Sequence, residues 1–290
     1  MSAPLLAVDA PSLLYRAFFA LPDSITDSDK RPVNALLGSA NLVLNEISTH
    51  APRVVCMCFG AEAADYRTEL LGSYHADRPE MPEALASQWA RAEDFYSGFG
   101  WRVLRHDTLE ADDLLGTLAD LETEVGGEAL LLTGDRDMFQ CASAKVRVLY
   151  VSTGVRGGTS MGPEEVRAKY GIDPGQVPDF IALRGDPSDG IPGAKGVGEK
   201  TAAELLRTHG TLETILDTAI RERRPKLRTT LTEMADQLRE FKRIATLQDA
   251  GIERPADAPT EDSRAAETAR EFGMNRLADR LESGSWREPS

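Results

Sequence analysis

Short apolar runs alternate with helix-length segments through the first half of the chain, and this alternation constrains the fold more than any other feature. The runs LLAV (5–8), VVCMCF (54–59), WRVLR (101–105), ALLLT (129–133) and VRVLYV (146–151) are rich in Val and Leu, as strands covered on both faces are. Between them, residues 12–20, 34–48, 83–98 and 110–125 carry a helical pattern. Such alternation calls for βαβ crossovers, and so predicts an α/β fold with a mostly parallel sheet flanked by helices. After about residue 160 the strand pattern stops. GPEEVRAKYG, VPDFIALRG, EKTAAELLRTHG and LRTTLTEMADQLREFKRIATL read as helices separated by Gly or Pro. ERPADAPTEDS (253–263) reads as a polar linker before a last helix around 264–282.

In an open parallel sheet, function gathers just past the carboxyl ends of the strands. Asp9 follows the first run directly. The third leads through HDTL into EADD, bringing Glu110, Asp112 and Asp113, and the fourth runs into GDRD, bringing Asp135 and Asp137. A parallel sheet places all six at one edge, and Asp186 and Asp189 in LRGDPSDG are natural additions. Each piece has a plain alternative: EADD complements a helix dipole, and GDRD makes a turn. Their coincidence at equivalent strand ends favours a joint role. Two carboxylates a few ångström apart repel by about 4 kcal/mol at an effective dielectric near 20, so the set calls for cations. Oxygen donors without His or Cys select Mg²⁺ or Mn²⁺ over zinc. Two such ions suit phosphoryl displacement, hence a phosphodiester or phosphomonoester hydrolase.

GAKGVGEKT (193–201) almost spells a P-loop, but Glu199 stands between Gly198 and the Lys200-Thr201 pair, and the stretch follows a helix instead of a strand. A P-loop requires Gly-Lys-Ser/Thr uninterrupted after a strand. The better reading is a hairpin between two helices whose glycines, Gly196 and Gly198, leave backbone N–H groups free for a phosphate beside Lys195 and Lys200. Arg221, Arg223, Arg224, Lys226 and Arg228 follow; they either extend that grip or form a solvated charged face.

The net charge of −14 argues against a nonspecific nucleic-acid coat, although clustered carboxylates lower net charge without coating the surface. Cys56, Cys58 and Cys141 form neither a metal tetrad nor a disulfide framework. The N-terminus lacks a basic start and carries Asp9 in its apolar run, unlike a signal peptide. No run reaches membrane-spanning length. Cytoplasm is the expected location.

VDAPSLLYRAFFALP, DRPEMP, EADDLLGTLA, TGDRDMFQ, GPEEVRAKYGI and LRGDPSDGIPGAKGVGEKTA together resemble the bacterial flap endonuclease family, which includes the 5′→3′ exonuclease domain of DNA polymerase I and free-standing relatives. The resemblance runs in order along essentially the whole chain. It implies a PIN-like 5′ nuclease core over 1–170 with a helical arch near 61–82. A helix–three-turn–helix DNA-binding module over 171–250 would follow, then a linker and C-terminal helix over 251–290 packing on the core. It also implies that Asp9, Glu110, Asp112 and Asp113 hold a first metal, and that Asp135, Asp137, Asp186 and Asp189 hold a second. Lys195, Gly196, Gly198, Lys200 and Thr201 would grip duplex DNA, with K⁺ as a further cation on the hairpin carbonyls. Arg16, Arg67 and Arg78 match basic positions near the scissile phosphate or on the arch.

The implied activity is 5′-flap endonuclease and 5′→3′ exonuclease, by a monomer, on flap, nicked or gapped DNA and RNA–DNA primer strands. Okazaki-fragment processing and repair would link it functionally to a DNA polymerase and a ligase. Two positions depart from the family pattern. Gly60 stands where Phe-Asp is usual, and His75 replaces the lysine of Tyr-Lys-x-x-Arg. These departures leave two rivals: a catalytically impaired DNA-binding clamp, and a metal phosphatase that shares the carboxylates.

Overall fold

The computed structural model describes residues 3–287 apart from 77, 153, 155 and 156; Asp77 of the expected arch therefore lies outside the described residues. The chain opens with β1 (Leu5–Asp9), α1 (Ala10–Ala20) and α2 (Asn34–His50), then β2 (Val54–Phe59), α3 (Asp65–Leu70), α4 (Glu83–Trp89) and α5 (Ala92–Gly98). β3 (Arg102–Arg105), α6 (Ala111–Glu124), β4 (Ala129–Thr133), β5 (Val146–Tyr150), β6 (Thr159–Met161) and α7 (Pro163–Tyr170) complete the α/β part. Helices alone follow: α8 (Val177–Arg184), α9 (Glu199–His209), α10 (Leu212–Asp217), α11 (Pro225–Glu233), α12 (Ala235–Ala245), α13 (Asp262–Glu271) and α14 (Asn275–Ser283).

The sheet runs in the order β3-β2-β1-β4-β5-β6. All neighbours are parallel except β5 and β6, which are antiparallel. Alternate residues serve opposite faces. Leu6, Val8, Val55 and Met57 pack under α1, α2 and α5, and Leu5, Ala7, Cys56 and Cys58 pack under α6 and the helical half. Cys56 and Cys58 thus share one buried face. Burial pushes the Cys56 thiol up to about 12 and that of Cys58 up as well, so neither is a reactive thiol.

Three expected helices are broken in two. The segment 83–98 turns at Ala90–Arg91, where the Arg91 guanidinium swings to the buried Asp27 at 3.1 Å. The long helix after 225 restarts at Met234. The last helix breaks at Gly273, whose φ of 75° suits glycine and whose added Cβ would lie 2.7 Å from Asp27 Cα. The polar linker is anchored as well. Ala258 donates to the Arg53 carbonyl at 3.0 Å beside β2, while Arg53 and Arg254 converge on buried Glu122. Its prolines keep it extended and its charges pin it. Among the described residues no helix is long and apolar enough to cross a membrane.

Candidate active site

Strand order reverses between β1 and β4, since β1 has β2 on one side and β4 on the other. A crevice opens at such a switch point, outside the strands' carboxyl ends. Asp9 ends β1 and Asp135 lies two residues beyond β4, so both stand at its mouth. Asp9 caps α1: its Oδ1 accepts from the Ser12 N–H at 3.0 Å, and its Oδ2 from the Thr133 hydroxyl at 2.7 Å. The same Thr133 oxygen accepts from the Asp135 N–H at 2.9 Å, and Asp135 Oδ1 accepts from the Asp137 N–H at 2.8 Å. One threonine hydroxyl therefore ties the two strand ends together, and the turn after β4 presents Asp135 and Asp137 as a pair.

Asp186 and Asp189 arrive from the loop after α8. Asp186 and Ile191 exchange backbone hydrogen bonds at 2.8 Å each way, and Ala194 N–H donates to the Leu183 carbonyl at 2.8 Å. Gly185 and Gly193 cross in direct backbone contact, where a Cβ on Gly193 would lie 2.3 Å from the Gly185 nitrogen. Both have positive φ, so the crossing depends on glycine twice over. Asp186 is held by Ser188 and by Arg184 at 3.0 Å. Asp189 faces residues expected to form the arch: His75 Nε2 is 3.1 Å and Arg78 3.4 Å from its Oδ1. The other ring nitrogen, Nδ1, lies 3.0 Å from the Glu62 carbonyl, and His75 has φ of 57°. The lysine substitute is thus buried and wedged between two acceptors instead of reaching into solvent.

Electrostatics bind these groups into one set. Burial raises the Asp9 carboxyl. Burial, followed by the charges of Asp135, Asp9 and Glu110, raises Asp112 well above the usual range. Burial and then Asp189 push Asp135 up to about 6, and burial with Asp135, Asp189 and Asp186 raises Asp137. Burial opposes ionisation of Asp189, but His75 and Arg78 outweigh it and hold that carboxyl low. Mutual repulsion among hard oxygen donors is the situation that divalent cations relieve, so the donor set fits such ions. Among the described residues, no three His, Cys, Asp or Glu side chains already stand together as a ready chelating group.

This sets a sign for stability. Without metal, carboxyls raised in the folded protein bind protons that the unfolded chain has lost, so stability falls as pH rises from about 4 through about 6. Divalent ions bound there would replace those protons. The melting temperature of the chelator-treated protein should therefore rise on acidification from pH 7.5 towards 5, and the upshift given by Mn²⁺ or Mg²⁺ should be larger at pH 7.5 than at pH 5. Equal upshifts at both would remove the carboxylate set as the binding site.

Two expected site residues are engaged by contacts within the protein. Asp113 is bonded on both carboxylate oxygens. Its Oδ1 accepts from the Gln248 N–H at 2.8 Å and from Tyr66 and Arg67, and its Oδ2 accepts from the Glu110 N–H at 3.1 Å. Fully buried, it joins the start of α6 to the segment that follows α12. Arg67, expected near the scissile phosphate, is 4% exposed. It meets Glu110 at 2.7 Å, Asp113 at 3.3 Å and the Ile244 carbonyl at 3.0 Å. Its guanidinium is thus taken up by buried carboxylates and a backbone carbonyl.

Glu110 itself bonds the Ala64 N–H at 2.9 Å and lies 3.3 Å from the Tyr74 hydroxyl. Arg16 spans from α1 to the carbonyls of Gly134 and Ser152, both at 2.8 Å, and so braces the turn that carries Asp135. Arg78 is left with a side chain 42% exposed beside the carboxylates.

Gly60 admits no side chain as the chain stands. A Cβ there would lie 2.4 Å from the backbone at Glu110 and Ala111, because the Ala61 N–H bonds the Leu109 carbonyl and draws the two loops together. The carboxylate that the family pattern places here is thus replaced by backbone-to-backbone contact. Gly60→Ala should cost about 1–3 kcal/mol, read as a lowered denaturation midpoint; an unchanged midpoint would show the loops free to part.

Beyond the Gly185–Gly193 crossing, Lys195, Gly196, Gly198 and Lys200 are exposed and Thr201 is half-buried in the first turn of α9. Gly196 has φ of 79°, and a Cβ on Gly196 or Gly198 would meet nothing of the protein within 4 Å. The hairpin tip is therefore open backbone flanked by two lysines.

Comparison with known proteins agrees with this layout. Residues 4–171 match the family model for the 5′-3′ exonuclease N-terminal resolvase-like domain, and residues 172–270 that for its C-terminal SAM fold. A 5′-3′ exonuclease of Mycobacterium tuberculosis is 33% identical, with 97% of this chain and 98% of that protein covered. The thermostable DNA polymerase I of Thermus thermophilus is 37% identical over 97% of this chain and 32% of its own length. The chain spans about a quarter of the mycobacterial DNA polymerase I relatives. Among solved structures, the zinc-bound T5 5′-exonuclease has a TM-score of 0.69 at 17% identity, covering 98% of this chain and all of that one. The catalytic core of Rad2 with DNA has a TM-score of 0.61 at 16% identity, covering 96% and 90%; both likenesses show the shared fold.

Proposed function

The chain belongs to the 5′-3′ exonuclease family, and from that premise we propose that it is a structure-specific 5′ nuclease that hydrolyses phosphodiesters at 5′ flaps and 5′ ends of duplex DNA. One observation carries this reading: Asp186 and Asp189 sit inside the same backbone-bonded hairpin that ends in the open Gly196–Gly198 turn. Grip and cut are thereby built into one short stretch.

Asp9, Glu110 and Asp112 would hold one divalent ion and Asp135, Asp137, Asp186 and Asp189 another, Mg²⁺ or Mn²⁺ by their oxygen donors. When bound, such ions supply Lewis acidity at the phosphodiester and a nucleophile at neutral pH. The protein's own groups do the positioning. Thr133 fixes the spacing of Asp9 and Asp135, and Arg16 braces their turn. Arg78, the exposed cation beside Asp189, would orient the scissile phosphate, and His75 holds Asp189 towards it. Lys195, Lys200 and the N–H groups of Gly196 and Gly198 would take the duplex backbone without reading sequence, and K⁺ on the hairpin carbonyls would add charge there. RNA–DNA primer strands, a cytoplasmic monomer, and work beside a polymerase and a ligase belong to the same reading.

The impaired-clamp alternative has Gly60 in its favour, since that position can offer no carboxylate. A 5′-labelled flap duplex with Mn²⁺, with Mg²⁺ and with chelator decides between the two. Metal-dependent release of the flap is expected; binding without cleavage under every metal condition would leave the clamp.

A further inference from the structure

The helical half holds a second concavity that the nuclease reading does not use. A cavity of about 550 Å³ opens between α9, α10 and α11. Its floor is apolar, from Leu205, Ile215 and Leu231, all buried in the core. Its rim is basic. Residues 219–228 carry five cations and one carboxylate, in a chain whose net charge is −14. Arg224 is spent internally, shared between Glu204 at 3.3 Å and Glu222 at 3.0 Å, so the lining keeps a net positive charge through Arg221 and Arg223. Arg221 and Arg223 also line the cavity and are exposed; among the described residues neither has a salt-bridge partner within 4.0 Å. Beside them Ile220 is 72% exposed, one of three large apolar side chains so placed among the described residues.

Two arginines without an ion-pair partner among the described residues, over an apolar floor, fit one chemistry. Arg clusters recognise acidic segments, and a desolvated apolar pocket takes a single anchoring side chain that dominates affinity. We infer that this cavity is a docking site for an acidic peptide segment of a partner protein, with an aromatic or large aliphatic residue seated on Leu205, Ile215 and Leu231 and its carboxylates on Arg221 and Arg223. A duplex backbone is the rival, because the Thr230 hydroxyl of α11 reaches the Lys195 carbonyl of the hairpin at 3.3 Å. Two features favour the peptide. A sugar-phosphate backbone uses cations but has no group for a buried aliphatic floor or for Ile220. The cavity also lies about 15 Å along α9 from the hairpin, at Thr208 against Gly198.

The test uses the full chain and a fluorescently labelled Asp-rich peptide containing one Phe, followed by anisotropy. Saturable binding is expected, weakened roughly tenfold or more when Phe becomes Ser, by Arg223→Glu, and by Thr208→Trp. Thr208 is exposed on α9, so a Trp there fills the cavity without entering the core; Thr208→Trp should leave cleavage of a flap duplex within about twofold of wild type. If Thr208→Trp does not fold, Arg223→Glu and the Ser peptide carry the test. No binding by wild type, or binding indifferent to the Phe and to both substitutions, overturns the proposal. So does a loss of flap-duplex affinity in both variants without peptide binding, which would assign the surface to nucleic acid.

Discussion

Asp135→Asn should lower flap cleavage by at least about 10³-fold, more than the 10–100-fold that follows loss of an outer-shell partner, while flap binding changes by no more than a few-fold. Asn keeps the oxygen that accepts from the Asp137 N–H and removes the charge. The same substitution should raise the melting temperature of the metal-free protein at pH 7.5, because it removes the burial of a charge and the repulsion from Asp189 and Asp9 that together push this carboxyl up to about 6. It should also erase most of the metal-induced upshift. These responses in opposite directions, stability up and cleavage down, distinguish a charge gathered for metal from one that merely holds a turn. Cleavage at the wild-type rate would remove Asp135 from the site.

Arg67→Ala should be the most damaging substitution to the fold itself. The guanidinium lies between Glu110 and Asp113, both buried, and removing one partner from such a cluster leaves uncompensated charge costing about 3–5 kcal/mol. A fall in melting temperature on the order of 10 °C is expected. Arg78→Ala, whose side chain is 42% exposed, should cost under about 0.5 kcal/mol yet slow cleavage. Thermal melts and single-turnover cleavage of both variants separate an arginine that holds buried carboxylates from one proposed to orient the phosphate. Equal melts would contradict the burial of Arg67.

The contrast between these arginines shows where sequence stops being sufficient. Strands such as 54–59 and 129–133 were legible residue for residue, since buried parallel strands are written as unbroken apolar runs. Parallel order then implied that the residues following them meet, which brings Asp9 and Asp135 together. Sequence could not separate Asp112 from Asp113. They are neighbours about 100° apart on a helix, and only the packing of Gln248 and Tyr66 against α6 decides which one faces the crevice. An arginine in an acidic setting reads alike whether it awaits a phosphate or balances a buried carboxylate. Gly60 could be read only as a missing carboxylate, because the backbone pressed against it comes from residues fifty positions later. The turns at Ala90 and Gly273 were hidden for a similar reason, as both answer to the distant Asp27.

The Thr133–Asp9 hydrogen bond joins residues 124 apart in the chain, whereas the Asp186–Ile191 pair closes a loop of only a few residues. Loop-closure entropy grows with separation, and contacts of long range form late. The two halves of the site therefore mature on different schedules. The hairpin half can organise as soon as α8 exists, while the strand-end half waits for β1 and β4 to lie side by side. The proposed site is therefore complete only once the longest of its closures, that between β1 and β4, has been made.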